Sequence, residues 1–130
     1  MKIIIYKISC VNKNIKKIYI GSTKNINKRI QYHKYATHNK NDVKYNRDMY
    51  KYIRKHGGFK KWNVEILKTW NVPNNKVQRL IERQYINYYN PELNVNSPID
   101  AKYCTNIDLY FPLIYKIACL FSSSSNYTYL

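Results

Sequence analysis

Tyr6 and Tyr19 sit in two β-branched and aromatic runs, residues 3–9 and 17–22, separated by the polar stretch VNKNIK. This is the pattern of an antiparallel hairpin. With its turn centred between Asn12 and Lys13, Tyr6 faces Tyr19 with β-carbons about 5 Å apart. An even register shift keeps both phenols on one face, and an odd shift separates them. A phenol acts as general base near neutral pH only if positive charge offsets a reference pKa of about 10, a gap worth about 4 kcal/mol. Lys7, Lys17 and Arg29 are the candidate sources. Arg29 and His33, four residues apart, address one site if their segment is helical. Arg29 offers a fork of donors to phosphate oxygens, and His33 can bond a phenol or phosphate and relay protons. Glu82 lies among apolar positions in LIERQYI, and by residue type alone it reads as a solvated or salt-bridged glutamate. The bland reading of the tyrosines is equally simple, since the chain has 15 of them.

Helices must position the rest. Ser22, Thr23 or Asn25 can cap a helix over residues 26–35, with Ile26 and Ile30 inward and Arg29 and His33 on another stripe. A polar loop follows over 38–44. Met49, Tyr52, Ile53 and His56 mark a second helix over 46–56, closed by Gly57, with a structural role. Residues 62–69 alternate as a third strand with one imperfect face. Val77, Leu80, Ile81, Gln84, Tyr85 and Tyr88 mark a helix over 75–89, ended by Asn90 and Pro91. The order is ββααβα plus a C-terminal tail without clear periodicity. It predicts an α/β (α+β) fold, a small three-stranded antiparallel sheet flanked by helices.

The 130 residues fit one domain, and 23 Lys and Arg against 7 Asp and Glu leave a net charge of +16. Such an excess points to a polyanion, nucleic acid first. Cys10, Cys104 and Cys119 have neither disulfide-framework nor zinc-site spacing. The N-terminus lacks a cleavage site and reads as a strand. The apolar run 109–121 contains Pro112 and Lys116 and falls short of the roughly 20 residues that span a bilayer. A docked C-terminal element is the expectation there, and residues 122–125 read as a frayed tail.

The whole arrangement resembles the GIY-YIG nuclease family over Lys2 to about Asn96. Ile4, Ile5 and Tyr6 stand where the family has GIY, and Tyr19, Ile20 and Gly21 give YIG intact. Arg29 and His33 in KRIQYH match the family's helical pair, Glu82 its metal-binding glutamate, and Asn94 in YNPELN its late asparagine. Ile4 replaces the first glycine, a strand position that carries no chemistry. The resemblance implies an endonuclease that hydrolyses DNA phosphodiesters by in-line attack of water. Glu82 would hold one Mg2+ or Mn2+, an ion that keeps most of its waters and needs one carboxylate plus the phosphate. Tyr6 is expected as the base and Tyr19 as its partner, with the reverse assignment close behind. Arg29 stabilises the transition state and His33 relays protons. Gly21, Lys28 and Asn94 are expected contacts to phosphate or nucleic acid, and Asn94 can equally be a turn residue.

The expected organisation is a nuclease domain over 1–96 with an extension over 97–130, acting inside a cell on duplex or branched DNA. The AT-rich coding suggested by Asn, Lys, Ile and Tyr points to a virus, phage or mobile element. Two other readings stand beside it, an inactive nucleic-acid-binding module of the same fold and a basic protein anchored by its tail.

Overall fold

The computed structural model describes Met1 to Asn94. The expected extension, with Cys104, Cys119 and the apolar run, lies outside the described residues. The element order is ββααβα: β1 (Lys2–Cys10), β2 (Tyr19–Thr23), α1 (Ile26–His38), α2 (Asp48–Lys55), β3 (Trp62–Asn71) and α3 (Asn75–Tyr89). The sheet is antiparallel in the order β2-β1-β3, and β1 runs through its middle.

Strand β1 is covered on both faces, which explains its nearly continuous apolar run. Ile3 and Ile5 join Val77, Ile81 and Tyr85 of α3 in one core. Tyr6, Ile8 and Cys10 point the other way and pack with Ala36 of α1 and Met49, Tyr50 and Ile53 of α2. Successive strand side chains alternate faces, so one strand feeds both cores.

The hairpin register differs from expectation. Tyr6 pairs with Gly21 and Ile8 with Tyr19, so the turn centres between Lys13 and Asn14. The polar loop closes later because Ile15 N–H donates to the Asn12 carbonyl and Asn14 N–H to the Asn12 side chain. The displacement is two residues, an even number, so both phenols stay on one face as diagonal neighbours. A bulge at Leu67 explains the imperfect third strand. Ile5 pairs with Lys68 while Tyr6 pairs with Ile66, leaving Leu67 between them. Trp62 and Val64 therefore join one core, and Leu67 and Trp70 the other.

Helix α1 is capped by Asn25, whose side chain accepts the Lys28 N–H, and it runs three residues past the expected end. Its buried positions are His33, Ala36 and Thr37, with Ile26 and Ile30 half-buried beside them. The inward stripe thus includes the histidine. Gly57 and Gly58 close α2 at φ +99 and +78, and Gly58 N–H returns to the Ile53 carbonyl, where a left-handed closure favours glycine. After α3, Asn90 turns left-handed at φ 48, and the chain folds back along the free edge of β2. Leu93 N–H donates there to the Ile18 carbonyl. Tyr88, expected inward on α3, is exposed. Among the described residues no helix is long and apolar enough to cross a membrane.

Candidate active site

The hairpin delivers the two phenols to the sheet face that α1 and α2 cover. The ring centroids of Tyr6 and Tyr19 are 6.1 Å apart. Gly21, directly across from Tyr6, makes the seat: a Cβ there would lie 2.6 Å from Tyr6 Oη and 2.9 Å from Tyr19 Cε1. Its role is to let Tyr6 lie flat over the β2 backbone, a close approach no side chain permits.

Helix α1 brings Arg29 and His33 onto the same phenol. Tyr6 Oη and His33 Nε2 are 2.8 Å apart, and Arg29 Nε donates to Tyr6 Oη at 3.3 Å. His33 Nδ1 is in turn 2.8 Å from Tyr50 Oη on α2. A helix expected to be structural therefore supplies the second partner of the histidine. Burial, then Arg29 and Lys44, lowers the His33 pKa to about 4, so the imidazole is neutral at pH 7. Burial holds the Tyr6 phenol above the usual tyrosine range, Tyr19 adds to this, and Arg29 opposes it. Tyr19 is raised too, first by burial and then by the Glu82 charge, while Arg29 and a hydrogen bond with Tyr6 pull it down.

The other expected charges lie elsewhere. Lys7 projects from the opposite face of β1 and pairs with Glu65 at 3.5 Å, and Lys17 sits 4.9 Å over the Tyr52 ring. Arg29 alone of the three acts on the phenols.

Glu82 reaches the site from α3. Its Oε1 accepts the Ser22 hydroxyl at 2.7 Å, and Ser22 Oγ accepts from Gln78 Nε2 at 3.1 Å. Gln78 and Glu82 are four apart on one helical stripe, so sequence spacing held the signal for this support; nothing singled out Ser22 or Tyr50. Burial raises the Glu82 pKa above the carboxylate range, against hydrogen bonds from the Ser22 side chain and backbone.

Tyr19, Arg29, His33, Tyr50 and Glu82 all line one cleft of about 710 Å³. Tyr6 is fully buried behind them. Glu82 is the sole carboxylate among the described lining residues, whereas Lys44, Arg47 and Arg83 join Arg29 there. The donor set fits a hard cation that keeps its waters, and no group of three His, Cys, Asp or Glu able to hold a metal occurs among the described residues. Two hollows adjoin the cleft. One shares Arg29 and Tyr32 with it and adds Lys24 and Lys28; the other shares Arg47 and Asn94 and adds Lys17.

Asn94 fixes the loop after α3 against β2 and also lines the cleft. Its Oδ1 accepts the Ile20 N–H at 2.9 Å and its Nδ2 donates to the Ile20 carbonyl at 2.7 Å. The amide thus pairs with the edge of β2 as a strand would, bracing the YIG segment.

The family model described as GIY-YIG catalytic domain matches residues 2–96, and the chain belongs to this family. Its members are nucleases that act on DNA and in general depend on a divalent metal. No curated protein and no solved structure matches the chain.

Proposed function

We propose that the protein is an endonuclease that hydrolyses DNA phosphodiester bonds by in-line attack of water, with Glu82 holding one Mg2+ or Mn2+. The observation that carries this reading is the convergence of Tyr19, Arg29, His33 and Glu82 on one cleft whose other charged lining is basic. Arg29 fits the scissile phosphate, where its donors meet charge that grows in the transition state. Tyr19 is the better base, because it borders the cleft while the Tyr6 hydroxyl is buried and bonded to His33 and Arg29. In the chemical step Tyr19 acts as the phenolate: the water oxygen forms the new P–O bond as its proton passes to the Tyr19 oxygen, the P–O bond on the opposite side breaks, and the leaving oxygen takes a proton from solvent. An ion held by Glu82 would supply positive charge to the phosphate and would offset the Glu82 charge that raises Tyr19. The adjoining hollow with Lys24 and Lys28 extends the basic surface to nucleotides on one side.

The test is nicking of supercoiled plasmid with Mg2+ or Mn2+ by the wild type, Glu82→Ala and Tyr19→Phe. Cleavage lost in both variants supports the site, and cleavage unchanged in both overturns it. Salt-sensitive binding without any cleavage would favour the inactive binding module.

A further inference from the structure

Two cations of the cleft meet on one aromatic ring. Arg29 lies over Tyr32 with its guanidinium carbon 5.6 Å from the ring centroid, and the Lys44 ammonium lies 4.8 Å from the same centroid. Both are within the roughly 6 Å at which the negative face of an aromatic ring holds a cation. Arg29 and Tyr32 are three apart on α1 and are neighbours on its surface, whereas Lys44 arrives from the loop between α1 and α2. Tyr32 also lines both the cleft and the hollow that holds Lys24 and Lys28, so the ring stands where the two meet.

The ring matters differently to the two. Arg29 is also held by its Nε, which donates to Tyr6 Oη at 3.3 Å. For Lys44 the loop fixes only the backbone, because its N–H donates to the Asp42 side chain at 2.8 Å and its carbonyl accepts the Arg47 N–H at 2.9 Å. The Lys44 ammonium makes no hydrogen bond or ion pair among the described residues, and the Tyr32 ring is what holds it beside a second positive charge. Like charges repel, and a flexible lysine without that ring would swing out into water. We propose that Tyr32 is a positioning residue that gathers Arg29 and Lys44 into a paired cationic clamp aimed at the phosphates of a strand in the cleft. The ligand of the clamp rests on the nuclease reading, whereas the arrangement of ring and cations does not.

The experiment compares Tyr32→Phe, which keeps the ring, with Tyr32→Leu, which keeps apolar bulk for the cation stems but loses the negative face. In the full chain with 13C-dimethylated lysines, the Lys44 methyl signals, identified by their loss in Lys44→Ala, should lie upfield under the ring. Tyr32→Phe should keep that shift and Tyr32→Leu should abolish it. Binding of a duplex oligonucleotide, read by fluorescence anisotropy without divalent metal, should weaken about fivefold in Tyr32→Leu and stay within about twofold in Tyr32→Phe, the scale of exposed ring–cation contacts. The double variant Tyr32→Leu/Lys44→Ala should lose less than the product of the two single losses, because Lys44 contributes through the ring. A merely structural tyrosine would give losses that multiply. Lys44 signals without a ring shift in the wild type, Tyr32→Phe as weak as Tyr32→Leu, or multiplying losses would overturn the proposal. Neither measurement reads cleavage, so a wild type that binds without nicking would count against the nuclease reading alone.

Discussion

Gly21 lies so close to Tyr6 that an added Cβ would stand 2.6 Å from its hydroxyl and 2.7 Å from Cζ. Gly21→Ala must therefore displace the buried phenol or the β2 backbone. Overpacking of this kind costs about 1–3 kcal/mol. Urea denaturation should show that loss, and plasmid nicking should fall more than the stability change explains, because Tyr6 also holds His33 and Arg29.

Ser22→Ala removes the hydroxyl donated to Glu82 and leaves that carboxylate only the Ser22 backbone hydrogen bond. A hydrogen bond to a charged group is worth about 1.5–3 kcal/mol. The expected outcome is a higher Mg2+ or Mn2+ concentration for half-maximal nicking, read by metal titration. Gln78→Ala should give a weaker version of the same effect, and an unchanged metal requirement in both would contradict this support role.

His33 predicts a pH dependence of stability. Its folded pKa, about 4, lies below the ordinary 6.5, so the unfolded chain binds more protons between those values. Stability from this group is full above pH 6.5 and falls on acidification to about pH 4, by up to roughly 3 kcal/mol. Glu82, whose pKa is raised, acts in the opposite sense: its protonated form is favoured in the folded state, so it gains stability as pH falls. The His33 share is the part of the pH slope between 6.5 and 4.5 that disappears in His33→Gln, measured by denaturant unfolding.

Asn94→Ala should unpair both polar groups of Ile20 at the β2 edge, destabilising the fold by about 1–3 kcal/mol. Asn94→Asp keeps the acceptor but sets a carboxylate oxygen against the Ile20 carbonyl, so it should be no milder. Thermal melts of the two variants check this, and the loss of nicking should follow the loss of fold.

Lys44 and Arg47 line the cleft and make no hydrogen bond to Tyr6 or Tyr19 among the described residues. If they neutralise phosphates, replacing either with Ala should lower the slope of log binding constant against log salt by about one. Fluorescence anisotropy across a salt series reads that slope, and an unchanged slope in both would place the DNA elsewhere.

Most of the frame is written in local pattern. The β-branched run of β1, the Asn25 cap of α1, Gly57 and Asn90 each state an element's limits within a few residues. The site residues Tyr6, Tyr19, Arg29, His33 and Glu82 were legible through the resemblance to the GIY-YIG family, since by residue type alone Glu82 reads as solvated or salt-bridged and the tyrosines as packed strand residues. The rest depended on three-dimensional neighbours. A polar loop does not state its own register, so Tyr6 was set against Tyr19 instead of Gly21. Tyr50 is one tyrosine among 15, and only packing of α2 on α1 gives it His33. Lys7 and Lys17 were near the phenols in sequence, but strand alternation and the hairpin loop carried them away.

The two halves of the site come from opposite ends of the domain, with the phenols on the first hairpin and Glu82 on the last helix. A growing chain therefore presents Tyr6 and Tyr19 long before any residue of α3 has been made. During synthesis the half-formed domain lacks both Glu82, the proposed metal ligand, and the Asn94 brace, so on the proposed function emergence of the final helix would arm it. A basic protein can then dwell on nucleic acid while still incomplete without cutting it.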